Sequence, residues 1–354
     1  MAEIIKGRGA TSRPPGRFET RDSMRVDDGW GTIEEELPEF KTTVTAERAK
    51  SIISRNESPD IGFNQSINPY KGCEHGCIYC YARPSHAYLN LSPGLDFETR
   101  LFYKPNAAEL LDQELRKPGY RVGNIALGAN TDPYQPIERK LEVTRGILQV
   151  LARFRHPVGI ITKGAMIERD LDLLADLARD RLVSVGITLT TLDPALKRTL
   201  EPRASSPQAR LRVMRKLSAA GIPVRVMFSP VIPFVNDAEL ERVLEAAAEA
   251  GASTASYVLL RLPYELKGLF REWLETHMPL KAAHVMSLIN QSRGGKDYQA
   301  GFGNRMRGTG LFARMIAKRF DLARRRYGLE QRQDGFNADA FRVPPAPGDQ
   351  FGLF

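Results

Sequence analysis

The middle of the chain alternates short apolar runs with amphipathic stretches. The apolar runs, rich in β-branched residues, lie at 64–71, 124–129, 157–162, 182–190, 223–232 and 255–262. Between them, apolar side chains recur at helical spacing, as in 167–178 and 240–248, and Gly221 and Gly251 follow such stretches where a left-handed residue would end a helix. Strands that alternate with helices indicate a parallel sheet, so the pattern predicts an α/β fold with six β/α units.

Length and composition suit one barrel-sized domain with extensions. The chain has 354 residues, 42% of them hydrophobic and 26% charged, which is enough to form a large core. We predict a basic, partly disordered N-terminal extension at 1–62, a core at 63–290, a basic helical region at 291–343 and a flexible tail at 344–354. Because no apolar run is long enough to span a bilayer and no secretory signal is recognisable, we expect a cytoplasmic protein without membrane contact.

The three cysteines fall within eight positions. They are Cys73, Cys77 and Cys80, in the run NPYKGCEHGCIYCYARPSH. Structural zinc and a fully protein-held iron–sulfur cube each take four ligands, whereas three cysteines leave one iron of a cube open to a small molecule. His75 or His86 would complete a Cys3His zinc site, and the last two cysteines have the spacing of a redox dithiol. Spacing alone leaves these alternatives open.

The run CEHGCIYC resembles the C-x3-C-x-aromatic-C signature of the radical S-adenosylmethionine (SAM) superfamily. The flanking sequence, over roughly residues 63 to 265, is similar to the branch of spore photoproduct lyases and DNA repair photolyase-like proteins. The resemblance implies a partial (β/α)6 TIM-type barrel with N- and C-terminal extensions. It also implies a 4Fe-4S cluster on the three cysteines, S-adenosyl-L-methionine at the open iron, its reductive cleavage to a 5'-deoxyadenosyl radical, and an electron donor of the flavodoxin or ferredoxin type.

The same resemblance implies SAM contacts at the ends of the first three predicted strands. Tyr79, inside the cysteine loop, matches the position that contacts the adenine region. Asn130, Thr131 and Asp132 match the stretch that holds the amino group, and Lys163 matches a lysine near the SAM carboxylate. In parallel barrels the chemistry collects at these strand ends, so we expect the five residues to lie close together.

Further contacts are expected after the fourth predicted strand. Thr190 occupies a position where a serine commonly contacts SAM in the superfamily, and Thr188 shares its face through the two-residue period of a strand. Glu201, Arg203 and Arg210 match a motif of the same branch. An internal salt bridge and substrate contact explain these three charged residues equally well.

One departure from the family bears on activity. Typical spore photoproduct lyases carry a fourth cysteine as hydrogen-atom donor, and this chain has three cysteines in all. Such a reaction would need another donor, for example Tyr81, Tyr103 or Tyr134. We therefore predict a lyase-like radical SAM enzyme with an unknown substrate and no assigned catalytic residue, without true spore photoproduct lyase activity.

Charge points to an anionic partner. The net charge is +9, and basic residues are dense near a helix predicted at 309–327: Arg305, Arg307, Arg314, Lys318, Arg319, Arg324, Arg325, Arg326 and Arg332. This face would suit nucleic acid or another anionic substrate, and a solvated basic helix is the alternative.

The C-terminal residues QFGLF resemble the Q-L-S/D-L-F peptide that binds the bacterial sliding clamp, with departures at Phe351 and Gly352. This similarity predicts clamp docking through Gln350, Leu353 and Phe354, and a tail folded back on its own barrel is the alternative. The competing function class is a nucleic-acid-binding or clamp-associated protein whose cysteines hold a structural zinc or cluster without catalysis.

Overall fold

The computed structural model describes residues 5–19, 41–331 and 335–345. The strands in these ranges are β1 (Thr43–Ala46), β2 (Ile53–Arg55), β3 (Gln65–Ile67), β4 (Tyr70–Lys71), β5 (Arg100–Tyr103), β6 (Ile125–Leu127), β7 (Val158–Thr162), β8 (Val183–Thr188), β9 (Val224–Val231) and β10 (Thr254–Leu259).

The α-helices in the described ranges are α1 (Asp96–Thr99), α2 (Ala107–Leu115), α3 (Glu138–Leu141), α4 (Val143–Arg153), α5 (Leu171–Arg179), α6 (Pro194–Leu200), α7 (Pro207–Ala219), α8 (Leu240–Glu249), α9 (Leu266–His277), α10 (Pro279–Gln291), α11 (Asn304–Arg307) and α12 (Gly310–Arg326). Short 3-10 helices lie at Arg83–Leu89, Ala165–Asp170, Asp237–Glu239 and Ala338–Ala340. None of the helices in the described ranges has the length and apolar character needed to cross a membrane.

One sheet organises the molecule, with the strand order β10-β9-β8-β7-β6-β3-β2. The pairs from β10 to β3 are parallel, and β2 joins β3 in antiparallel orientation. Each of the six predicted strand regions contributes one parallel strand. Within the described residues β10 and β2 end the sheet without pairing with each other, so the barrel is partial, as the resemblance implies.

The core lies between this sheet and its crossover helices. The side chains of Ile125, Val158, Val185 and Val226, on four neighbouring strands, are almost fully buried. Such buried aliphatic positions are typical of parallel strands that are covered by helices. Gly221 and Gly251 have φ values of 73° and 88°, which confirms the predicted left-handed residues after α7 and α8.

The first predicted strand, 64–71, is divided in two. Its first part, β3, belongs to the main sheet, whereas β4 pairs with β5 in a small three-stranded sheet with the order β1-β5-β4. Pro69, between the two parts, has no amide hydrogen for a ladder, and its carbonyl oxygen accepts a hydrogen bond from Lys104 N at 3.0 Å. The break redirects the chain, so the cysteines follow β4 and lie over the end of the main sheet.

Both extensions pack on the core where they are described. β2 lies in the predicted N-terminal extension yet belongs to the main sheet. Residues 5–19, expected to be partly disordered, lie against the cysteine loop, and Ala10 is fully buried there. At the other end, α12 confirms the helix predicted at 309–327 and packs on α8 and β10. Residues 350–354, with the predicted clamp peptide, lie outside the described residues.

Candidate active site

The cysteine loop, residues 73–80, connects β4 to the 3-10 helix at Arg83–Leu89. Backbone hydrogen bonds from Gly76 N to Cys73 O, at 3.3 Å, and from Cys80 N to Cys77 O, at 3.2 Å, close two successive turns. Gly76 has a φ of 66°, and a β-carbon there would lie 2.6 Å from Glu98 Oε2, so only glycine fits. The turns present the three thiols from one short segment.

The three cysteines are free thiols, two of them buried and Cys80 partly exposed. Burial raises the pKa of the Cys73 thiol well above its ordinary range and that of Cys77 to about 12, and neighbouring cysteines add to both shifts. The thiols therefore lie within electrostatic reach of one another. Because burial disfavours the charged form of Cys73 and Cys77, a positive centre would be needed to keep these two as thiolates.

The zinc alternative finds no support in the positions of the two histidines. His75 Nδ1 lies 3.2 Å from Asp132 Oδ2, and His86 Nε2 lies 3.0 Å from the Arg100 carbonyl oxygen. In the described parts of the chain, no group of three or more His, Cys, Asp or Glu side chains is close enough together to hold a single metal ion. A wider centre that spaces its ligands farther apart suits the three thiols better than one tetrahedral ion does.

Tyr79 is tied to the end of β8 by a buried side-chain network. Its hydroxyl donates to Glu201 Oε1 and lies 3.2 Å from Thr190 Oγ1, which itself donates to Glu201 Oε1 at 2.7 Å. Arg210 donates to the other oxygen of Glu201 and, at 3.0 Å, to the Thr188 carbonyl oxygen. The residues predicted after the fourth strand are thus brought together with the aromatic of the cysteine loop.

Glu201 is ionised in this network. Burial alone would raise the pKa of its carboxyl, but Arg210 and Lys163 outweigh that effect and lower the pKa to about 2. Of the two explanations for the Glu201, Arg203 and Arg210 motif, the internal ion pair accounts for the first and third residues. Arg203 instead pairs with Glu74 at 3.2 Å, on the outer side of the cysteine loop.

Asp132 joins the cysteine loop to the ends of β6 and β7. Its Oδ1 accepts from Thr162 Oγ1 at 2.6 Å, and its Oδ2 accepts from Lys163 N at 2.7 Å and lies beside His75. Burial would raise the pKa of this carboxyl, but His75 and the hydrogen bonds hold it well below its usual range. The oxygens of Asp132 are therefore occupied by the protein itself.

The two residues before Asp132 are held by Asn68, which the sequence analysis did not single out. Asn68 Oδ1 accepts from Asn130 N at 2.8 Å and from Thr131 N at 3.4 Å, and the Thr131 hydroxyl donates to Tyr70 O at 3.0 Å. Among the described residues, the Asn130 side-chain amide has no hydrogen-bond partner. Asn130 is thus the member of this predicted trio whose side chain is available to a ligand.

Lys163 is the cation of the site. It follows the last residue of β7, and its Nζ lies 5.7 Å from the centre of the Tyr79 ring. No carboxylate of the described residues lies within ion-pair distance of this ammonium. Burial would lower the pKa of Lys163, but Cys77, Glu201 and Asp132 together raise it above its ordinary value. A charged ammonium without a carboxylate partner in the described residues, in electrostatic reach of Cys77 and Cys80, can receive an anionic group.

Of the three tyrosines considered as hydrogen-atom donors, Tyr81 alone lies in the cysteine loop region with an open side chain. It follows Cys80, is 49% exposed, and donates its hydroxyl hydrogen to Ala129 O after β6. Tyr134 is buried and donates to Asp170 Oδ2 at 3.0 Å, and Tyr103 lies on β5 in the small sheet.

A second buried network behind the cysteine loop was not predicted. Arg83 donates to Glu98 and, through its other N–H groups, to four carbonyl oxygens, including Cys77 O at 2.9 Å. Gly9 N and Ala10 N donate to the two oxygens of Glu98 at 3.0 and 2.9 Å. The N-terminal strap, residues 5–19, is thereby attached to the loop. No periodicity or motif marks this contact, because it joins segments far apart in the chain.

These residues fit a 4Fe-4S cluster with bound SAM on chemical grounds. One loop supplies three free thiols, the Lys163 ammonium after β7 is in electrostatic reach of Cys77 and Cys80, and the Asn130 amide follows β6. A cluster needs thiolate donors, and a ligand with a carboxylate and an amino group needs partners of opposite charge or polarity when it leaves water. The site provides both kinds of group.

Comparisons with known proteins agree with this geometry. The family model described as "Radical SAM superfamily" matches residues 67–247. A Mycobacterium tuberculosis protein described as uncharacterized is 41% identical over 219 residues, which make up 61% of this chain and 64% of that protein. The match therefore spans less than two thirds of the relative. A Methanocaldococcus jannaschii protein with the same description is 28% identical over 232 residues, or 66% of this chain and 82% of that one.

A solved structure of spore photoproduct lyase complexed with dinucleoside spore photoproduct has a TM-score of 0.59 to this chain at 14% identity, covering 82% of this chain and 81% of that one. At this identity the likeness shows the fold. The family model covers half of the chain, and its match includes the cysteine loop and the ends of β6, β7 and β8. The chain therefore belongs to the radical SAM superfamily, whose members use a 4Fe-4S cluster and SAM.

Proposed function

We propose that this protein is a radical SAM enzyme that holds a 4Fe-4S cluster on Cys73, Cys77 and Cys80 and binds SAM between the cluster and Lys163. The observation that carries the proposal is the Lys163 ammonium, which lies in electrostatic reach of the thiols and has no carboxylate partner among the described residues. When bound, the cluster supplies the electron that cleaves SAM to a 5'-deoxyadenosyl radical.

The protein's own groups would bind and orient the SAM molecule. Lys163 would pair with its carboxylate, and the Asn130 amide oxygen would accept from its ammonium. The Tyr79 ring would contact the adenine region, and its hydroxyl is held by Glu201 and Thr190, so the ring has little freedom to rotate. Asp132 acts indirectly, because its oxygens position Thr162 and the Lys163 backbone. Thr188 is a positioning residue through its carbonyl contact with Arg210.

We propose a lyase-like reaction on an anionic substrate, with nucleic acid as the leading class. The net charge of +9 supports this substrate class, and the related fold of spore photoproduct lyase is compatible with it. The three cysteines are all assigned to the cluster, so no thiol remains to donate a hydrogen atom and we do not propose spore photoproduct lyase activity itself. A flavodoxin- or ferredoxin-type donor would deliver the electron, and clamp docking through residues 350–354 remains a prediction.

Anaerobic reconstitution tests the cofactor assignment. The purified protein should bind about four iron and four sulfide per chain, as a 4Fe-4S cluster requires, and should release 5'-deoxyadenosine from SAM after reduction. Cys77→Ala should lose both properties while its circular dichroism stays that of the wild type, because the cluster lies at the mouth of the barrel. Assays with and without ultraviolet-damaged DNA then ask whether DNA changes the rate of SAM cleavage.

A matched control is Glu109→Gln, which removes an exposed ion pair with Arg48 and should leave iron content unchanged. A correctly folded protein that contains zinc, or no metal, after anaerobic purification and that releases no 5'-deoxyadenosine would reject the proposal. That outcome would favour the non-catalytic, nucleic-acid-binding or clamp-associated alternative.

A further inference from the structure

Arg261 lies at the mouth of the barrel with unusually weak partners. It follows β10, at the carboxyl end of the last parallel strand. Its Nε is buried and has no hydrogen-bond partner. Among the described residues, its terminal nitrogens have hydrogen-bond contacts only with Met306 Sδ at 3.5 Å and Tyr298 Oη at 3.4 Å. A thioether and a long phenol contact satisfy a guanidinium poorly, and a buried N–H without an acceptor is costly.

The position of Arg261 connects it to the cysteine loop. Its guanidinium carbon lies 5.5 Å from the centre of the Tyr81 ring, and Tyr81 directly follows Cys80. The Tyr81 hydroxyl donates to Ala129 O at the end of β6, so the ring reaches from the cysteine loop toward the opposite part of the mouth. An anion bound by Arg261 would therefore lie beside the cluster-binding segment.

The neighbouring Arg293 shows how the fold satisfies the hydrogen-bond donors of a buried arginine in this region. Arg293 is buried and donates to the carbonyl oxygens of Leu259, Leu260, Asn304 and Arg305. In the described residues near Arg261, no carboxylate lies within ion-pair distance of its guanidinium. The fold thus provides acceptors for one arginine and leaves the other incomplete.

The local charge is positive. Burial and the charge of Arg261 lower the pKa of Arg293 to about 10. Asp60 is the acidic group in electrostatic reach, but it accepts from Arg305 Nε and from Gly303 N at 2.7 Å. Asp60 therefore compensates Arg305, and in the part of the chain that the structure describes no carboxylate forms an ion pair with Arg261 or Arg293.

Two more arginines continue this charge away from the mouth. Arg307, next to the Met306 that contacts Arg261, lies with its guanidinium 4.0 Å from the centre of the Tyr257 ring. Arg307 and Arg314 line one surface pocket of about 310 Å³ together with Tyr257, and Asp321 lies at its other end. Within the described residues, neither arginine has a carboxylate partner. Arg261, Arg307 and Arg314 form the arginine track.

We propose that Arg261 binds a phosphate group of the substrate at the barrel mouth, and that the arginine track carries the adjoining phosphates of a nucleic-acid strand. This inference rests on the proposed function, since it names the group that places the substrate beside the cluster. A guanidinium offers several N–H donors that match phosphate geometry, and the weakly bonded terminal nitrogens of Arg261 supply them. Spacing positive charges along a path suits a polyanion more than a single carboxylate.

Oligonucleotide binding tests the proposal directly. A fluorescently labelled 12-nucleotide single strand is titrated with the full-length, reconstituted protein, and anisotropy is followed at several salt concentrations. Arg261→Gln should weaken binding about tenfold and reduce the salt-dependence slope by about 0.7, the value expected for loss of one single-strand phosphate contact. Arg261→Lys should bind with intermediate affinity, because lysine keeps the charge but not the fork.

The matched control is Arg139→Gln, which removes one exposed positive charge from α3 and should change affinity less than twofold. The double variant Arg307→Gln/Arg314→Gln should weaken binding of the 12-mer but not of a mononucleotide, because a mononucleotide reaches only the Arg261 end of the track. If the double variant lost affinity equally for the 12-mer and for the mononucleotide, the arginine track would be rejected and a single phosphate site would remain.

Three outcomes would overturn the inference. They are wild-type affinity in Arg261→Gln, an equal loss in Arg139→Gln, and failure of the wild-type protein to bind the 12-mer, a mononucleotide or inorganic phosphate. Failure of the proposed function is distinguishable, because iron content and SAM cleavage are measured on the same preparations without any oligonucleotide. If the protein cleaves SAM but does not bind phosphate, the cofactor assignment stands and the phosphate-binding inference is rejected.

Discussion

Two buried arginine–glutamate pairs flank the cysteine loop, and they differ in what else they hold. Behind the loop, Glu98 accepts from Arg83 and from the amides of Gly9 and Ala10, and Arg83 binds carbonyl oxygens with its remaining donors. In front of the loop, Glu201 accepts from Arg210 and from the hydroxyls of two side chains, Tyr79 and Thr190.

The rear pair, Arg83 and Glu98, hydrogen-bonds to the backbone and to itself, whereas the front pair, Arg210 and Glu201, also holds side chains of the site. Among the described residues, the hydrogen-bond partners of the Arg83 and Glu98 side chains belong to the backbone or to each other, so this pair fixes the path of the chain. The front pair holds side chains that face the thiols, and an uncompensated Lys163 lies within its electrostatic reach. We infer that the rear pair supports the loop and that the front pair prepares a ligand site. Substitutions in each should separate stability from ligand affinity.

Breaking the rear pair should produce the largest change. Glu98→Gln leaves the Arg83 charge buried without a counter-ion, which typically costs about 3–5 kcal/mol. Urea unfolding of the protein under reducing, anaerobic conditions measures this loss. Glu47→Gln, which breaks the half-exposed pair with Lys71, should cost less than about 1 kcal/mol. Equal effects of the two variants would mean that the buried network does not support the fold.

Removing the cation of the front region should change SAM affinity more than stability. Lys163→Met keeps the length of the side chain and deletes the ammonium, so SAM should bind about 10–100-fold more weakly, as expected for a lost charged hydrogen bond. Equilibrium binding of SAM to the reconstituted protein is the measurement, with iron content expected to stay at the wild-type level. Lys104→Met, on the far side of the small sheet, is the control. Unchanged affinity in Lys163→Met would contradict the assignment of this lysine.

Displacing the N-terminal strap should weaken the rear region more moderately. A β-carbon at Gly9 would lie 1.8 Å from Gly76 O, so Gly9→Val must move the strap away from the cysteine loop at a cost of about 1–3 kcal/mol. The cluster absorbance should then fade faster in air, since the loop loses its cover. Gly62→Val, where the added atoms meet open space, controls for the substitution itself. Identical fading rates would show that the strap does not protect the loop.

The smallest effect is expected from Thr190→Val. The change removes one hydrogen bond to Glu201 and leaves the donors Tyr79 and Arg210 in place, so stability should fall by about 1 kcal/mol. SAM affinity should drop less than tenfold, because the Tyr79 ring keeps its main anchor. Thr276→Val, which loses a hydrogen bond to a backbone oxygen of α9, provides the reference for stability. If Thr190→Val weakened SAM binding more than Lys163→Met does, the proposed order of importance of these two residues would be wrong.

The parts of the site that lie at strand ends were predictable. Lys163 follows an apolar run that ends a strand, and Asn130 and Thr190 follow two others, so the order of strands in a parallel sheet brings them together. The periodicity predicts the parallel order of the strands, and the resemblance to the radical SAM superfamily implies the barrel to which the rule of strand-end chemistry applies. Which side chains already have hydrogen-bond partners was not predictable. The structure shows that both oxygens of Asp132 accept hydrogen bonds from the protein, whereas the Asn130 side chain has no partner among the described residues.

The contacts that the sequence analysis missed join distant segments. Ala10 N reaches Glu98 across 88 positions, and Tyr79 reaches Glu201 across 122. In the sequence, Arg261 is one of many basic residues. The lack of a hydrogen-bond partner for its Nε can be recognised only when its neighbours in the fold are known. Whether a charge is paired depends on which groups surround it after burial, and no local pattern encodes that.

The sequence alone determined the spacing of the three cysteines and the alternation of strands and helices. Both are local properties, since ligand spacing and side-chain periodicity are set by neighbouring residues. Only the tertiary structure decided that Glu98 is satisfied by Arg83 and backbone amides and that Glu201 holds Tyr79. It also decided that Lys163 and Arg261 are left without carboxylate partners in the described residues. The reason is that pairing a buried charge is a property of the whole packed environment, where distant segments exclude water and either provide a counter-ion or leave a place for a ligand.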